Sequence, residues 1–598
     1  MAGKIKSGKY TVPKEVAALK PREIRCDIRV VPTKTKMGDR KHYYVYEVAE
    51  NKSDKTIGKI EGGKFCPNAF GLERLAQIHN ESDKDNQYQE LEPVAQSVLS
   101  DNEAKNIELA AVNMNLSLKN IDLQIKDYGE YAVVLACSQS VLEQLEKYFS
   151  DQDARLIYAL SIIYFVQEYT PASYVKDVYD QSILSNKWPS LAISENSVGE
   201  LLKLLGRHPL ICERYSQGLI DGSSGLIAID GHVILTCSKL NDLADYGSKY
   251  KKIGNKQMNV LQAYDAINEV PLTSKTYDGD MVDMNSVKDL FKTYKFPSGT
   301  TFLIDMGFYS EENFGLYREN NNYFVIPVPD SAVISKAIRL SINFEGSFSY
   351  LKKDENGSLY NVTILYREST VHELEDLYQI LLDEETALKN QEEMESCKPG
   401  EKPKKRYPRK ITRSKYGGDR VIIYRDEEMH RKMVSEFWSQ IGTDDVHTEE
   451  KLAQLGPEFG IIVLRTNKDS KTAPASVVYH DYKKRWKIET HYNFVANTVK
   501  FCGLRESDYY SMEGLSFLMI TVGQIKNAII KKIRSSKEHY VRTMSIAEII
   551  AKSGRIKVSQ HQDKQWYFSC ASKKKTLLMK ELGVDIGGDL RKLNISQL

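Results

Sequence analysis

The chain has 598 residues, 41% of them hydrophobic and 27% charged, an ordinary globular composition with room for three or four domains. Its formal net charge of +2 conceals separate basic and acidic blocks, so it argues neither for nor against a nucleic-acid partner. The eight cysteines never stand at C-x-x-C spacing, the Lys-rich start has no apolar core, and no apolar run is long enough for a bilayer. These features argue against a zinc ribbon, a signal peptide and a membrane span. The expectation is a soluble, cytoplasmic chain with reduced thiols.

Residues 1–140 form a basic N-terminal region. Stretches 29–31 and 43–48 read as strands around a Met37-Gly38-Asp39 turn, and 56–60 as a third. Such a sheet serves either to grip DNA or as a structural cap. Stretch 132–136 reads as a buried strand. Residues 141–222 form a helical region, in which Leu142, Leu145 and Tyr148, then Leu156, Leu160 and Ile163, keep helical spacing behind Ser140 or Ser150 as caps.

At residue 223 the pattern changes. Stretch 225–235 is an apolar strand with one carboxylate, Asp230, at its middle. Strands at 258–264 and 270–277 follow. A helix then starts near Ser286 with Val287, Leu290, Phe291 and Tyr294 on one face, and a fourth strand at 301–307 ends its apolar run in Asp305. Three strands in a meander, a crossover helix and a fourth strand parallel to the first bring Asp230 and Asp305 side by side. Unpaired buried carboxylates are costly, so the two need a cation, a proton or an arginine between them.

Residues 326–475 do not continue this pattern. Strands at 323–328, 338–344 and 362–366 precede a charged helix at 374–388. A basic stretch at 402–415, a helix at 427–441 and a strand at 460–464 follow. This reads as an inserted domain, whose basic stretch is either a solvated linker or a track for DNA phosphates. Residues 476–535 return to the core, and 536–598 form a small C-terminal unit with two helical signals around 566–570.

The stretch from Tyr482 to Lys500 reads as one helix with Tyr482, Arg485 and Glu489 at helical steps. Taken locally, Arg485 and Glu489 are either an i,i+4 surface ion pair or a metal-binding carboxylate beside a phosphate clamp. The upstream aspartates favour the second reading. Asp230, Asp305 and Glu489 together suit two Mg²⁺ (or Mn²⁺) ions, because hard cations take oxygen ligands and keep positions open for phosphate.

These motifs, in this order, resemble the DDE transposases of insertion sequences, in the IS-four-like group with the Y-x2-R-x3-E-x6-K signature. Tyr482, Arg485 and Glu489 match its first three positions, Ile229-Asp230-Gly231 its first-aspartate motif, and the stretch 302–310 its second. The resemblance covers roughly residues 190–535. It implies an α/β fold in which an RNase H-like mixed-sheet catalytic core (223–325 and 476–535) is interrupted by a mainly β insertion domain (326–475). It also implies catalysis and metal binding by Asp230, Asp305 and Glu489, and phosphate contacts from Tyr482 and Arg485. Partners would be double-stranded DNA, both terminal inverted repeats and target, engaged by a homodimer without any membrane, at the nucleoid of a bacterial cytoplasm. The activity would be cleavage at transposon ends and joining of the 3′-hydroxyl to target DNA.

One position departs from the signature. Its lysine falls on Ala496, and Lys500, one turn on, is the candidate replacement for the phosphate contact. The departure equally suits a catalytically degraded, DNA-binding descendant. A hydrolase of another class, such as a two-carboxylate glycosidase, would leave Arg485 unexplained. Relatives stack a flipped base on an inserted-domain tryptophan, so Trp438 is the candidate by location, against the reading of a core residue. His232 shares the Asp230 face and reads as a hydrogen-bonded histidine. His480 and His491 lack zinc spacing, and Asp278, Asp280 and Asp283 read as a turn with a helix cap.

Overall fold

The computed structural model describes residues 26–35, 38–47, 55–61, 64–68, 124–235, 238, 241, 244–245, 256–279, 283–340, 342–354, 356–397, 404–444, 446–501, 508–560, 564–569, 571–586 and 593. Met37 of the expected turn, Asp280 of the acid cluster and the first two residues of the 402–415 stretch lie outside them. The chain forms two compact units, Met1–Asp122 and Leu123–Leu598.

The first unit contains an antiparallel sheet of β1 (Cys26–Thr35), β2 (Gly38–Glu47), β3 (Lys55–Glu61) and β4 (Lys64–Pro67), in that order. Three of these strands match the sequence expectation. Among its described side chains, Ile28, Val45 and Ile57 are buried.

The second unit opens with β5 (Ile125–Asp127) and a helical array: α1 (Gly129–Leu145), α2 (Asp151–Gln167), α3 (Glu195–Arg207) and α4 (Pro209–Asp221). Residues 132–136, expected as a strand, lie inside α1. That helix is buried on nearly every side in its first half, from Tyr131 through Leu135, so the polar positions that betray helical period are missing. Ser150 caps α2 by accepting a hydrogen bond from Asp153 N at 3.2 Å. The array packs around a long apolar helix near the end of the chain, Tyr509–Ser535. At the crossing with α3, a Cβ on Gly206 would meet Tyr510 O at 2.1 Å, and one on Gly514 would meet Leu202 O at 2.1 Å. Two backbones therefore touch where only glycine fits.

The sheet that positions the site begins with the antiparallel meander β6 (Leu226–Leu235), β7 (Gln257–Asp265) and β8 (Val270–Tyr277). After α5 (Asp283–Thr293), β9 (Thr301–Ile304) pairs parallel to β6, as the sequence implies. Then α6 (Glu311–Tyr317) leads to β10 (Tyr323–Pro327), parallel to β9. Next come α7 (Val333–Leu340), β11 (Gly346–Lys353), β12 (Leu359–Thr370), α8 (Val371–Ser396), β13 (Arg420–Asp426), α9 (Glu427–Gln440) and β14 (Ile461–Thr466). The sheet runs β11-β12-β13-β14-β10-β9-β6-β7-β8. The strands of 326–475 thus widen the same sheet. Residues 338–340, expected as the start of a strand, end α7, where Ile334, Ala337 and Ile338 are buried at i, i+3 and i+4.

The chain closes with α10 (Ala475–Lys483), α11 (Trp486–Asn493), the helix Tyr509–Ser535 (α12), α13 (Ile546–Ser553), β15 (Lys557–Gln560), β16 (Trp566–Phe568) and α14 (Lys573–Glu581). The helical signals expected at 566–570 give way to β16. There Trp566 and Phe568 point inward and Tyr567 between them does not, a period of two. β15 sits between β16 and β5, tying the end of this unit to its beginning. Among the described residues no helix is long and apolar enough to cross a membrane.

Candidate active site

Strand alternation selects the face on which the acids stand. Ile227 and Ile229 of β6 pack with α5, whereas Leu226 and Ala228 pack with α10 and α11. Asp230 continues the second set. On β9, Leu303 belongs to that same side and Phe302 and Ile304 to the other, so Asp305 also faces α10 and α11. The last parallel pair of the two strands is Ile229 with Ile304. Asp230 and Asp305 are the next residues on each.

The expected single helix over 482–500 is three pieces. α10 ends at Lys483, α11 starts at Trp486, and Phe494–Thr498 form a π turn. Backbone at Lys484 and Arg485 stays close to helical, so Glu489 remains one turn from Arg485. α11 is seated by the buried Ile488, His491 and Tyr492. Tyr492 donates its hydroxyl to Asp230 O at 2.7 Å and stacks on His232, ring centres 4.6 Å apart. Lys487 reaches the β7–β8 turn, donating to Ala266 O at 3.0 Å and pairing with Glu269 at 3.1 Å.

Arg485 is the point where the acids meet. Its Nη1 lies 3.2 Å from Asp230 Oδ2, and its Nη2 lies 3.6 Å from Asp305 Oδ1 and bonds directly to Glu489 Oε1. Its guanidinium also sits 5.8 Å from the centre of the Tyr482 ring. The exposures rank the acids: the Asp230 side chain is 13% exposed, Asp305 41% and Glu489 50%, so the cluster opens to solvent on the Asp305 and Glu489 side.

Three carboxylates around one guanidinium leave two formal negative charges uncompensated. Burial pushes the Asp230 carboxyl up to about 7; Arg485 pulls against this, and Asp305 and Glu489 add to the rise. Burial works against the Arg485 charge as well, but Tyr482 and the three acids outweigh it and raise its pKa further. Burial also lifts the Tyr482 hydroxyl to about 12. Among the described residues no three His, Cys, Asp or Glu side chains form a ready-made metal cage. Here the guanidinium occupies the ground between the acids. The donor set is nonetheless the one a divalent ion requires: oxygen only, net negative and open on one side.

The remaining candidates lie elsewhere. Lys500 has left the helix with φ of 57° and pairs with Glu168 at 2.7 Å. Trp438 stands on α9, 59% exposed. His491 is fully buried against Tyr264, and burial drives its pKa down to about 3. His480 packs on Phe348 and Tyr350. Asp278 follows β8 and Asp283 opens α5. Sequence reading missed Tyr492 and the Lys487–Glu269 anchor. The first looks like any aromatic on a helical face, and the second joins residues more than two hundred positions apart with no local signal.

A family model described as a transposase DDE domain matches residues 221–522, half of the chain. That interval runs from the end of α4, through every strand of the main sheet and the acid cluster, into α12. The chain matches no curated protein. Among solved structures, a piggyBac transposase synaptic complex with hairpin DNA is similar at 10% identity and a TM-score of 0.35, over 73% of this chain and 80% of that one.

Proposed function

The chain belongs to the family of transposases with this DDE domain, and from that premise we propose that it cuts phosphodiester bonds at transposon ends and joins the freed 3′-hydroxyl to target DNA. The observation that carries this reading is the meeting of Asp230, Asp305 and Glu489 at one guanidinium, in a cluster open to solvent on the Asp305 and Glu489 side. In the proposed site these three acids hold Mg²⁺ (or Mn²⁺). Two such ions, held by these acids, would supply Lewis-acid stabilisation of the attacking and leaving oxygens.

The chain's own groups then do the following. Arg485 grips a non-bridging phosphate oxygen in exchange for the acids it faces here, a role its planar fork suits better than an ammonium would. Tyr482 donates a hydrogen bond from its hydroxyl to the same phosphate. Tyr492 and the Lys487–Glu269 pair hold α11 against the sheet, so that Glu489 and Asp230 keep their spacing when the DNA enters.

The sheet order, with β9 and β10 parallel to β6 and β7 and β8 antiparallel beyond it, supports an RNase H-like core that spans 223–325 and 476–535. Residues 326–475 are read as its insertion, added as strands at one sheet edge. Tyr482, Arg485 and Glu489 support the IS-four-like assignment. Terminal inverted repeats as substrate and a homodimer as the synaptic form follow from that assignment. A second reading, a catalytically degraded DNA-binding descendant, is favoured by one observation: Lys500, the candidate replacement for the signature lysine, is paired with Glu168.

The test uses the full chain with duplex DNA taken from either side of its reading frame. The wild type should nick and transfer strands with Mg²⁺ or Mn²⁺ and not in EDTA. Asp230→Ala should lose at least ~10³-fold in rate, as loss of a metal ligand at the reacting centre implies, while binding the same DNA. Cleavage that persists in EDTA, or that survives the substitution, defeats the two-ion reading. Binding without cleavage by the wild type favours the degraded descendant.

A further inference from the structure

Segment 404–415, Lys-Lys-Arg-Tyr-Pro-Arg-Lys-Ile-Thr-Arg-Ser-Lys, carries seven basic residues and no acid. It has no secondary structure of its own, yet it is held along α8 by side chains of that helix. Asn390 bonds both backbone groups of Arg406, at 2.8 and 2.9 Å. Gln379 bonds Arg409 O at 3.2 Å and Ile411 N at 3.1 Å, and Glu375 accepts from Ser414 N at 2.8 Å. Two guanidiniums fold back onto helix acids, Arg406 to Glu393 at 3.4 Å and Arg413 to Asp376. The other five charges, Lys404, Lys405, Arg409, Lys410 and Lys415, are exposed and make no ion pair among the described residues. A strap whose backbone is satisfied on its helix side turns these charges outward.

The far end of the strap is tied to the start of α6. Ser414 Oγ donates to Glu311 Oε1 at 2.7 Å, and Lys415 N donates to Glu311 Oε2 at 3.1 Å. The buried Arg465 locks this joint, donating to Ser414 Oγ at 2.9 Å and Tyr309 Oη at 3.1 Å, with Glu311 at 3.4 Å. Glu311 opens α6, directly after the turn that carries Asp305. The strap is therefore fastened at both ends, to α8 and to the start of α6.

We propose that the strap 404–415 is a duplex-DNA contact that holds backbone phosphates through its five outward charges. This rests on the transposase reading. From Asn390 to Glu375 the anchoring helix spans ~22 Å, at 1.5 Å per residue, about two thirds of one DNA turn. Lysine-rich, like-charged and nearly free of apolar anchors, the strap has the composition of a phosphate track; protein interfaces are depleted in lysine.

The test is the salt dependence of binding, measured on the full chain with a mixed-sequence duplex of roughly four turns. A variant with Lys404, Lys405, Arg409, Lys410 and Lys415 all changed to Gln keeps Arg406 and Arg413, which fasten the strap. The slope of log K against log salt should flatten by ~4–5 units, at ~0.9 per phosphate contact, with the thermal midpoint unchanged. Five single Gln variants, flattening the slope by ~0.9 or less each, serve if the combined variant misfolds. A wild-type slope in a folded combined variant, or in all five single variants, overturns the proposal while wild-type metal-dependent cleavage leaves the transposase reading intact. A changed oligomeric state with an unchanged DNA slope also overturns it, and assigns the strap to a protein partner.

Discussion

Arg485 answers carboxylates from three separate elements, which determines what its loss does. Breaking a fully buried pair costs ~3–5 kcal/mol. Asp305 and Glu489 are 41% and 50% exposed, so solvent screens much of their repulsion and about 2 kcal/mol is the reasonable scale. Arg485→Ala should therefore lower the metal-free unfolding free energy by that amount in denaturant titration. Divalent ion should restore more stability to the variant than it adds to the wild type. Equal ion-dependent gains in both proteins would mean that the guanidinium and the ion do not share a place. At this scale the sequence was informative only in combination, because the spacing of Tyr482, Arg485 and Glu489 fits a surface ion pair as well until Asp230 and Asp305 are read with it. It was silent on Tyr492, whose contact is with a backbone oxygen.

At the scale of elements, α11 buries His491 beside Ile488 and Tyr492. His491 is wholly buried, its Nε2 meets no hydrogen-bond partner, and burial, helped by Lys526 and His232, drives its pKa down to about 3. In the unfolded chain the same imidazole takes a proton near pH 6.5. The folded state thus binds fewer protons, and stability that is intact above 6.5 is lost as pH falls towards 3. At pH 5 the loss amounts to about 2 kcal/mol. His491→Phe, which replaces an unpaired polar ring by an apolar one, should flatten the stability curve between pH 6.5 and 5; an unaltered slope would show that another group carries it. The breaks around this helix were not legible. Lys484, Arg485 and the π turn continue a helical pattern of side chains, so periodicity alone runs α10, α11 and Phe494–Thr498 together.

Across the whole molecule, the β6–β9 arrangement was legible because apolar runs, one carboxylate in each, and a crossover helix leave few topologies. The joining of β11, β12 and β13 to the same sheet was not, since pairing partners so far apart in sequence leave no local trace. Residues 132–136, 338–340 and 566–568 were misassigned for a related reason: short apolar runs fit either period until their neighbours are known. The proposed divalent-ion site draws its acids from β6, the end of β9 and α11. Anomalous diffraction from crystals soaked in Mn²⁺ tests it directly. A peak between Asp230, Asp305 and Glu489, with Arg485 displaced from its position here and with the peak lost in Asp230→Ala, is the result the account predicts. Manganese bound elsewhere, or no peak while Arg485 still bridges the three acids, would contradict it.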